Sequence, residues 1–249
     1  MRELKDVEYC PGYAADVYLP EENGFDTIVY FHGGGMTEGS KNGENIVDIA
    51  RFFAGNGYCV VCADYALYPA AKFPEYLVQC AAAVAFARKE ALKNGGSGKI
   101  IVMGQSAGAW ISLMLCFDGK YLEAAGTDKK DIEAWLIDSA QPTSHYNVIA
   151  FEEGLSPKAQ RIDKYAPLYY LDENTEFSKM LLVYYEHDMP CRAAQNRLLY
   201  EAVKNFRPQA DIKEVCLKGG HCSGSSVKEP DGTYRFACTA LKFLKGERL

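Results

Sequence analysis

Short apolar runs alternate along the chain with longer stretches that are apolar at helical spacing, the order expected of a parallel sheet covered by helices. The pattern predicts strands over residues 14–20, 27–31, 58–64, 99–104, 134–138, 180–185 and 211–217. It predicts helices over residues 44–55, 75–93, 107–116, 192–205 and about 234–244. The fold class read from this order is α/β, a mostly parallel central sheet of about eight strands with helices on both faces. Residues 141–178 are less regular, with three prolines, several tyrosines and scattered charges. A connection that long between two strands is expected to form a small lid or pocket wall.

The length of 249 residues suits one large domain with a buried core, so residues 1–249 are read as a single unit. A net charge of −6 leaves no basic surface for a phosphate backbone, which argues against nucleic acid as a partner. The first residues, Met1 to Asp6, are charged and lack the apolar run of a signal peptide. No stretch approaches the ~20 apolar residues of a membrane span. Nine cysteines without an export signal are expected to be free thiols, and the location expected is cytoplasmic. The oligomeric state is left open, a homodimer included.

The chemistry lies where strands end. Gly104-Gln105-Ser106-Ala107-Gly108 follows an apolar strand and opens a helical stretch. In that setting the serine sits on a tight turn with its hydroxyl projecting from the sheet edge, which makes Ser106 the candidate nucleophile. His32-Gly33-Gly34-Gly35 ends another apolar strand. Glycines there let backbone N–H groups approach a developing oxyanion, so Gly34, with Gly35 and Gly33 beside it, is the expected donor loop. Ala107, directly after the nucleophile, is the expected second donor, and His32 is expected to brace the loop. With such an elbow the acid and then the base follow along the chain. Of four histidines only His221, in the Gly219-Gly220-His221 turn after the last strand, has the right order and setting. Glu186 and Asp188, after the strand ending at Tyr185, are both candidate acids, while Asp64 and Asp138 are read as structural.

A metal is not expected. Cys59 and Cys62 share a strand, where residues three apart face opposite sides, and His221 is better used as a base than as a ligand beside Cys216 and Cys222. No cofactor is expected either.

With these residues in place the chain resembles the hormone-sensitive-lipase-like and bacterial acyl esterases of the α/β-hydrolase superfamily. The resemblance runs from about Asp16 to Leu244, through Asp16-Val17-Tyr18-Leu19-Pro20, the His32 glycine run, Asp64-Tyr65-Ala66-Leu67-Tyr68-Pro69, Phe73-Pro74, the Ser106 elbow, Asp188 and His221. It implies Ser106 as nucleophile, Asp188 as acid, His221 as base, and Gly34, Gly35 and Ala107 as oxyanion donors. The chain departs from the pattern at Ala66, where arginine is usual, at Gln79, where an acid is usual, and at Ala109, where many relatives have a second glycine. The implied activity is hydrolysis of small short-acyl esters, acetylated sugars or plant phenolic esters among them, with a small-molecule ester as partner. Trp110 and Tyr146 are expected to line the substrate pocket. An amidase, formamidase or small-peptide hydrolase on the same triad is the alternative, and a non-catalytic binding protein of the same fold a more distant one.

Overall fold

A computed structural model describes residues 1–249. In chain order the elements are β1 (Arg2–Cys10), β2 (Tyr13–Leu19), β3 (Thr27–Phe31), α1 (Glu44–Gly55), β4 (Cys59–Ala63), α2 (Glu75–Lys93), β5 (Ile100–Gln105), α3 (Ala107–Phe117) and α4 (Lys120–Ala124). They continue with β6 (Ile132–Asp138), α5 (Tyr146–Glu153), β7 (Lys179–His187), α6 (Arg192–Phe206), β8 (Asp211–Gly220), α7 (Ser223–Ser226) and α8 (Arg235–Leu244).

The strands β3, β4 and β5 are buried at every position. A strand covered on both faces has no reason to alternate, which is why these segments read as unbroken apolar runs. They sit in the middle of one eight-stranded sheet of order β1-β2-β4-β3-β5-β6-β7-β8. From β4 to β8 all pairs are parallel, and β1 and β2 join in antiparallel fashion. This is the mostly parallel α/β sheet that the hydrophobic pattern predicts. The edge strands differ in character. Strand β8 pairs only with β7 and exposes Asp211, Lys213, Glu214, Cys216 and Lys218, charges that discourage pairing with another chain.

Two cores flank the sheet. Residues Ile46, Ile49 and Phe53 of α1 and Phe236 and Phe243 of α8 fill one face. Helices α2, α3 and α6 fill the other. Cys59 packs in the second core and Cys62 in the first, on opposite faces of β4 as their spacing requires. No group of three or more His, Cys, Asp or Glu side chains is placed to share a metal ion. No helix is long and apolar enough to cross a membrane. Four elements escape the pattern reading: β1, whose charges mask an edge strand, α5, inside the stretch that reads as irregular, and the short helices α4 and α7.

Candidate active site

The carboxyl ends of the parallel strands converge on one cleft, where ligands meet an open α/β sheet. Between the last residue of β5 and the first of α3 stands Ser106, with φ 53° and ψ −111°. A left-handed backbone at a residue with a Cβ costs about 1–3 kcal/mol and persists only where neighbours enforce it. Here the Ser106 N–H donates to the Asp138 carbonyl at 2.7 Å and the Ser106 carbonyl accepts from Trp110 N–H at 3.0 Å. The flanking glycines are required by space. A Cβ on Gly104 would overlap the Gly108 carbonyl, and one on Gly108 would overlap the Phe31 carbonyl of β3.

The three expected side chains meet. Ser106 Oγ lies 2.8 Å from His221 Nε2, and His221 Nδ1 lies 2.5 Å from Asp188 Oδ1. With Nδ1–H donated to the carboxylate, Nε2 is free to accept the serine proton. The Asp188 side chain is buried, and three donors hold it. Besides His221 these are Met189 N–H, at 2.7 Å from Oδ1, and the Ser139 hydroxyl, at 3.0 Å from Oδ2. Burial works to raise the Asp188 pKa. The hydrogen bond and charge of His221, the Met189 N–H and the Ser139 hydroxyl outweigh it and hold the group below the usual carboxylate value. Glu186, the other candidate acid, is exposed at the end of β7.

The glycine run lies beside Ser106, and the carbonyls of His32, Gly33, Gly34 and Gly35 are all occupied. The His32 carbonyl accepts from Tyr65 O–H at 2.7 Å, the Gly33 carbonyl from His32 Nδ1–H at 2.6 Å. The Gly34 carbonyl accepts from Thr37 and Glu38 N–H at 3.0 Å each, and the Gly35 carbonyl from the Asn147 amide at 2.7 Å. With its acceptors tied, the loop has only N–H groups left to offer the cleft. Gly34 has φ 115°, and a Cβ there would collide with the Glu38 carbonyl, so no other residue fits. His32 is buried, stacked on Tyr65 at 4.4 Å between ring centroids, and burial lowers its pKa, keeping the ring neutral. Ala107 opens α3, so its N–H has no carbonyl to bond within the helix.

Beneath the site lies a second buried carboxyl that the sequence reading treats only as structural. Asp138 accepts from Tyr185 O–H at 2.9 Å and from Ser225 O–H. Burial pushes its pKa up to about 7, against the pull of those two hydroxyls. A carboxyl raised in the fold binds its proton while the unfolded chain has released it. Stability therefore falls as pH rises from about 4 to about 7, and stays lowered above that. Asp138→Asn removes this dependence. The melting temperature of the variant relative to wild type should improve between pH 5 and pH 8, and a constant difference across that range would contradict it.

Trp110, expected in the pocket wall, is not there. Every position of α3 is buried, and Trp110 packs against Tyr76 and His145 while its indole N–H donates to the Tyr165 carbonyl at 3.1 Å. It is a core residue that fixes residues 141–178 onto the domain. Tyr146, at the start of α5, does line the cleft. The cleft measures about 600 Å³, and polar side chains, Thr37, Glu38, Ser40, Asn45, Gln105 and Ser226, line it alongside the glycines, although carbon atoms make up more than half of its exposed surface. Met189 and Tyr146 are shared with a neighbouring cavity of about 470 Å³, whose surface is mostly carbon and includes Pro157 and Pro190. Asn45 and Gln105 carry no sequence signature. Their place follows only from α1 beginning and β5 ending at one rim, where Asn45 Nδ2 donates to Gln105 Oε1 at 3.2 Å and to the Ser225 carbonyl at 2.9 Å.

A family model described as BD-FAE matches residues 15–203, well over half of the chain. The chain belongs to the BD-FAE family. The matched segment holds the glycine run, Ser106 and Asp188 and stops before His221. Among solved structures, this BD-FAE member is similar to esterase 2 of Thermogutta terrifontis. The apo form superposes with a TM-score of 0.77 at 20% identity, over 97% of this chain and 93% of that one. The form phosphonylated by sarin gives 0.78 at 19% identity with the same coverage, and the propionate-bound form 0.75 at 20% identity, again over 97% and 93%. The likeness establishes the α/β-hydrolase fold for this BD-FAE chain, in agreement with the resemblance read from its motifs. A comparison with curated protein sequences returns no relative.

Proposed function

We propose that this chain is a serine carboxylesterase acting through an acyl-enzyme. The observation that carries the reading is the continuous relay Ser106–His221–Asp188, at 2.8 and 2.5 Å, beside a loop whose carbonyls are all engaged elsewhere. Ser106 Oγ attacks the ester carbonyl as His221 Nε2 takes its proton. Asp188 holds the tautomer and stabilises the imidazolium without itself being protonated. The oxyanion is held by N–H groups of Gly34 and Ala107, with Gly33 and Gly35 adjoining. His221 then protonates the departing alcohol, and water, activated by the same imidazole, releases the acid. The reaction uses no cofactor.

The substrates are small esters with short acyl groups. The hydroxyl, amide and carboxylate side chains along the cleft suit a hydroxylated alcohol half, such as that of an acetylated sugar. The carbon-lined cavity behind Tyr146 and Met189 supports a second reading, a phenolic ester whose aromatic half lies there. In both, residues 141–178 serve as the pocket wall of a single domain. The nine free thiols fit a reducing compartment, and we place the enzyme in the cytoplasm.

The related-fold esterase is described as phosphorylated by paraoxon and phosphonylated by sarin, and the same susceptibility is expected at Ser106. The test is turnover of p-nitrophenyl esters of rising chain length, acetylated sugars, phenolic esters, and the amide and N-formyl counterparts, together with labelling by a fluorophosphonate. Fastest turnover of acetyl or propionyl esters supports the reading. Preference for the amide or N-formyl arm would replace the esterase by an amidase or formamidase. Absence of both turnover and label would leave a binding protein.

A further inference from the structure

The residue after Asp138 touches more of the catalytic machinery than any side chain outside it. Ser139 is fully buried and takes φ 56°, a left-handed conformation that glycine would adopt without strain. Its backbone is fixed at both ends: the N–H donates to the Val183 carbonyl at 2.9 Å, and the carbonyl accepts from Arg192 Nη1 at 3.0 Å. That conformation aims the hydroxyl at two catalytic loops at once. The O–H donates to Asp188 Oδ2 at 3.0 Å, and the oxygen accepts from the N–H of Cys222, next to His221, at 3.2 Å.

We propose that Ser139 is a positioning residue for catalysis, a single hydroxyl that sets the carboxylate of Asp188 and the loop of His221 in register with each other. The proposal rests on the serine-hydrolase reading above. The physical reason is that acid and base come from two different strand ends, after β7 and after β8. Their 2.5 Å bond fixes one distance but not the rotation of the carboxylate about its own axis. Asp188 Oδ1 is held by His221 and Met189, and only the Ser139 hydroxyl holds Oδ2. Without it the carboxylate can turn, and the imidazole with it, away from Ser106. The neighbouring Asp138 supplies the nucleophile side of the same post, since its carbonyl holds the Ser106 N–H. The end of β6 thus holds Ser106 and Asp188 directly and the loop of His221 through Cys222.

The experiment uses Ser139→Gly, which removes the hydroxyl and relieves the backbone, and Ser139→Ala, which removes the hydroxyl alone. Each is made in the full chain and assayed with p-nitrophenyl acetate beside wild type. Loss of one hydrogen bond to a charged group is expected to lower kcat about 10- to 100-fold with KM within about twofold. Because Ser139 acts through Asp188, the same substitutions in an Asp188→Ala background are expected to cost less than about threefold more. An unchanged kcat in Ser139→Gly overturns the proposal. So does a loss as large in the Asp188→Ala background as in wild type, which would mark a general packing role, or a loss carried by KM alone. Wild-type protein that neither turns over ester nor takes the label overturns the enzyme reading itself, which separates the two failures.

Discussion

Ser106→Ala is expected to lower kcat for short-chain ester hydrolysis by about a million-fold while leaving the melting temperature nearly unchanged. The hydroxyl makes one hydrogen bond, to His221 Nε2, so its removal frees only a nitrogen of a ring that is a quarter exposed and can turn to water. The strained backbone at 106 is held by the Asp138 carbonyl and the Trp110 N–H, neither of which touches the side chain. An alanine meets the same left-handed constraint as a serine, so the elbow keeps its shape. What disappears is the covalent intermediate. A residual acceleration from the oxyanion loop remains, about a thousand-fold over water. Steady-state kinetics with p-nitrophenyl acetate, and circular dichroism melts of both proteins, check this. Activity above about one hundredth of wild type would point to a nucleophile other than Ser106.

The second large effect is at Asp188, and here the structure separates two substitutions that are often treated alike. Asp188→Ala removes the group that holds the His221 tautomer and is expected to cost about 10,000-fold in kcat. Asp188→Asn should be milder. The Met189 N–H donates to Oδ1, so an amide oxygen, not an amide nitrogen, will occupy that place. The nitrogen then faces Ser139 Oγ, which can accept. His221 still finds an acceptor at Nδ1 and keeps the tautomer that leaves Nε2 free. Only the charge is lost, and about a hundred-fold decrease follows from weakening a charge-assisted hydrogen bond. Equal losses in the two variants would mean that the amide turns over despite Met189. In the wild type the low Asp188 pKa keeps the carboxylate ionised through neutral and mildly acidic pH. Its stabilising contribution is present above about pH 4 and is lost only as pH falls through its lower folded value.

These residues differ in how far they could be read from the chain alone. Ser106 and His221 stand out because the chemistry demands three residue types in a fixed order, each after an apolar strand, whereas Asp188 shares its strand end with Glu186 and is singled out only by the resemblance. The central strands are legible by their length and content: burial on both faces removes their alternation, but each is a run of only five or six residues, rich in Ile and Val or bounded by turn residues, too short for a helix. Trp110 illustrates where the reading stops. Its distance from Ser106 along α3 places it near the site, but whether it faces cleft or core depends on the helix's rotation. A helix apolar all round carries no mark of that. Tyr146 falls in a stretch without clear periodicity that nonetheless folds as α5, on tertiary packing rather than pattern. Ser139 has no signature at all. Its importance comes from β6 lying between β5 and β7, a neighbour relation that no local window contains.

The sheet's layout has one more consequence. Ser106, the proposed nucleophile, springs from an interior strand with a partner on either side, whereas His221, the proposed base, hangs from the outermost one, β8, whose far side meets water. Thermal fraying begins at such a margin and works inward. Turnover on heating will therefore cease while most of the sheet is still folded, because the imidazole comes adrift with the rim before the serine's own perch is disturbed.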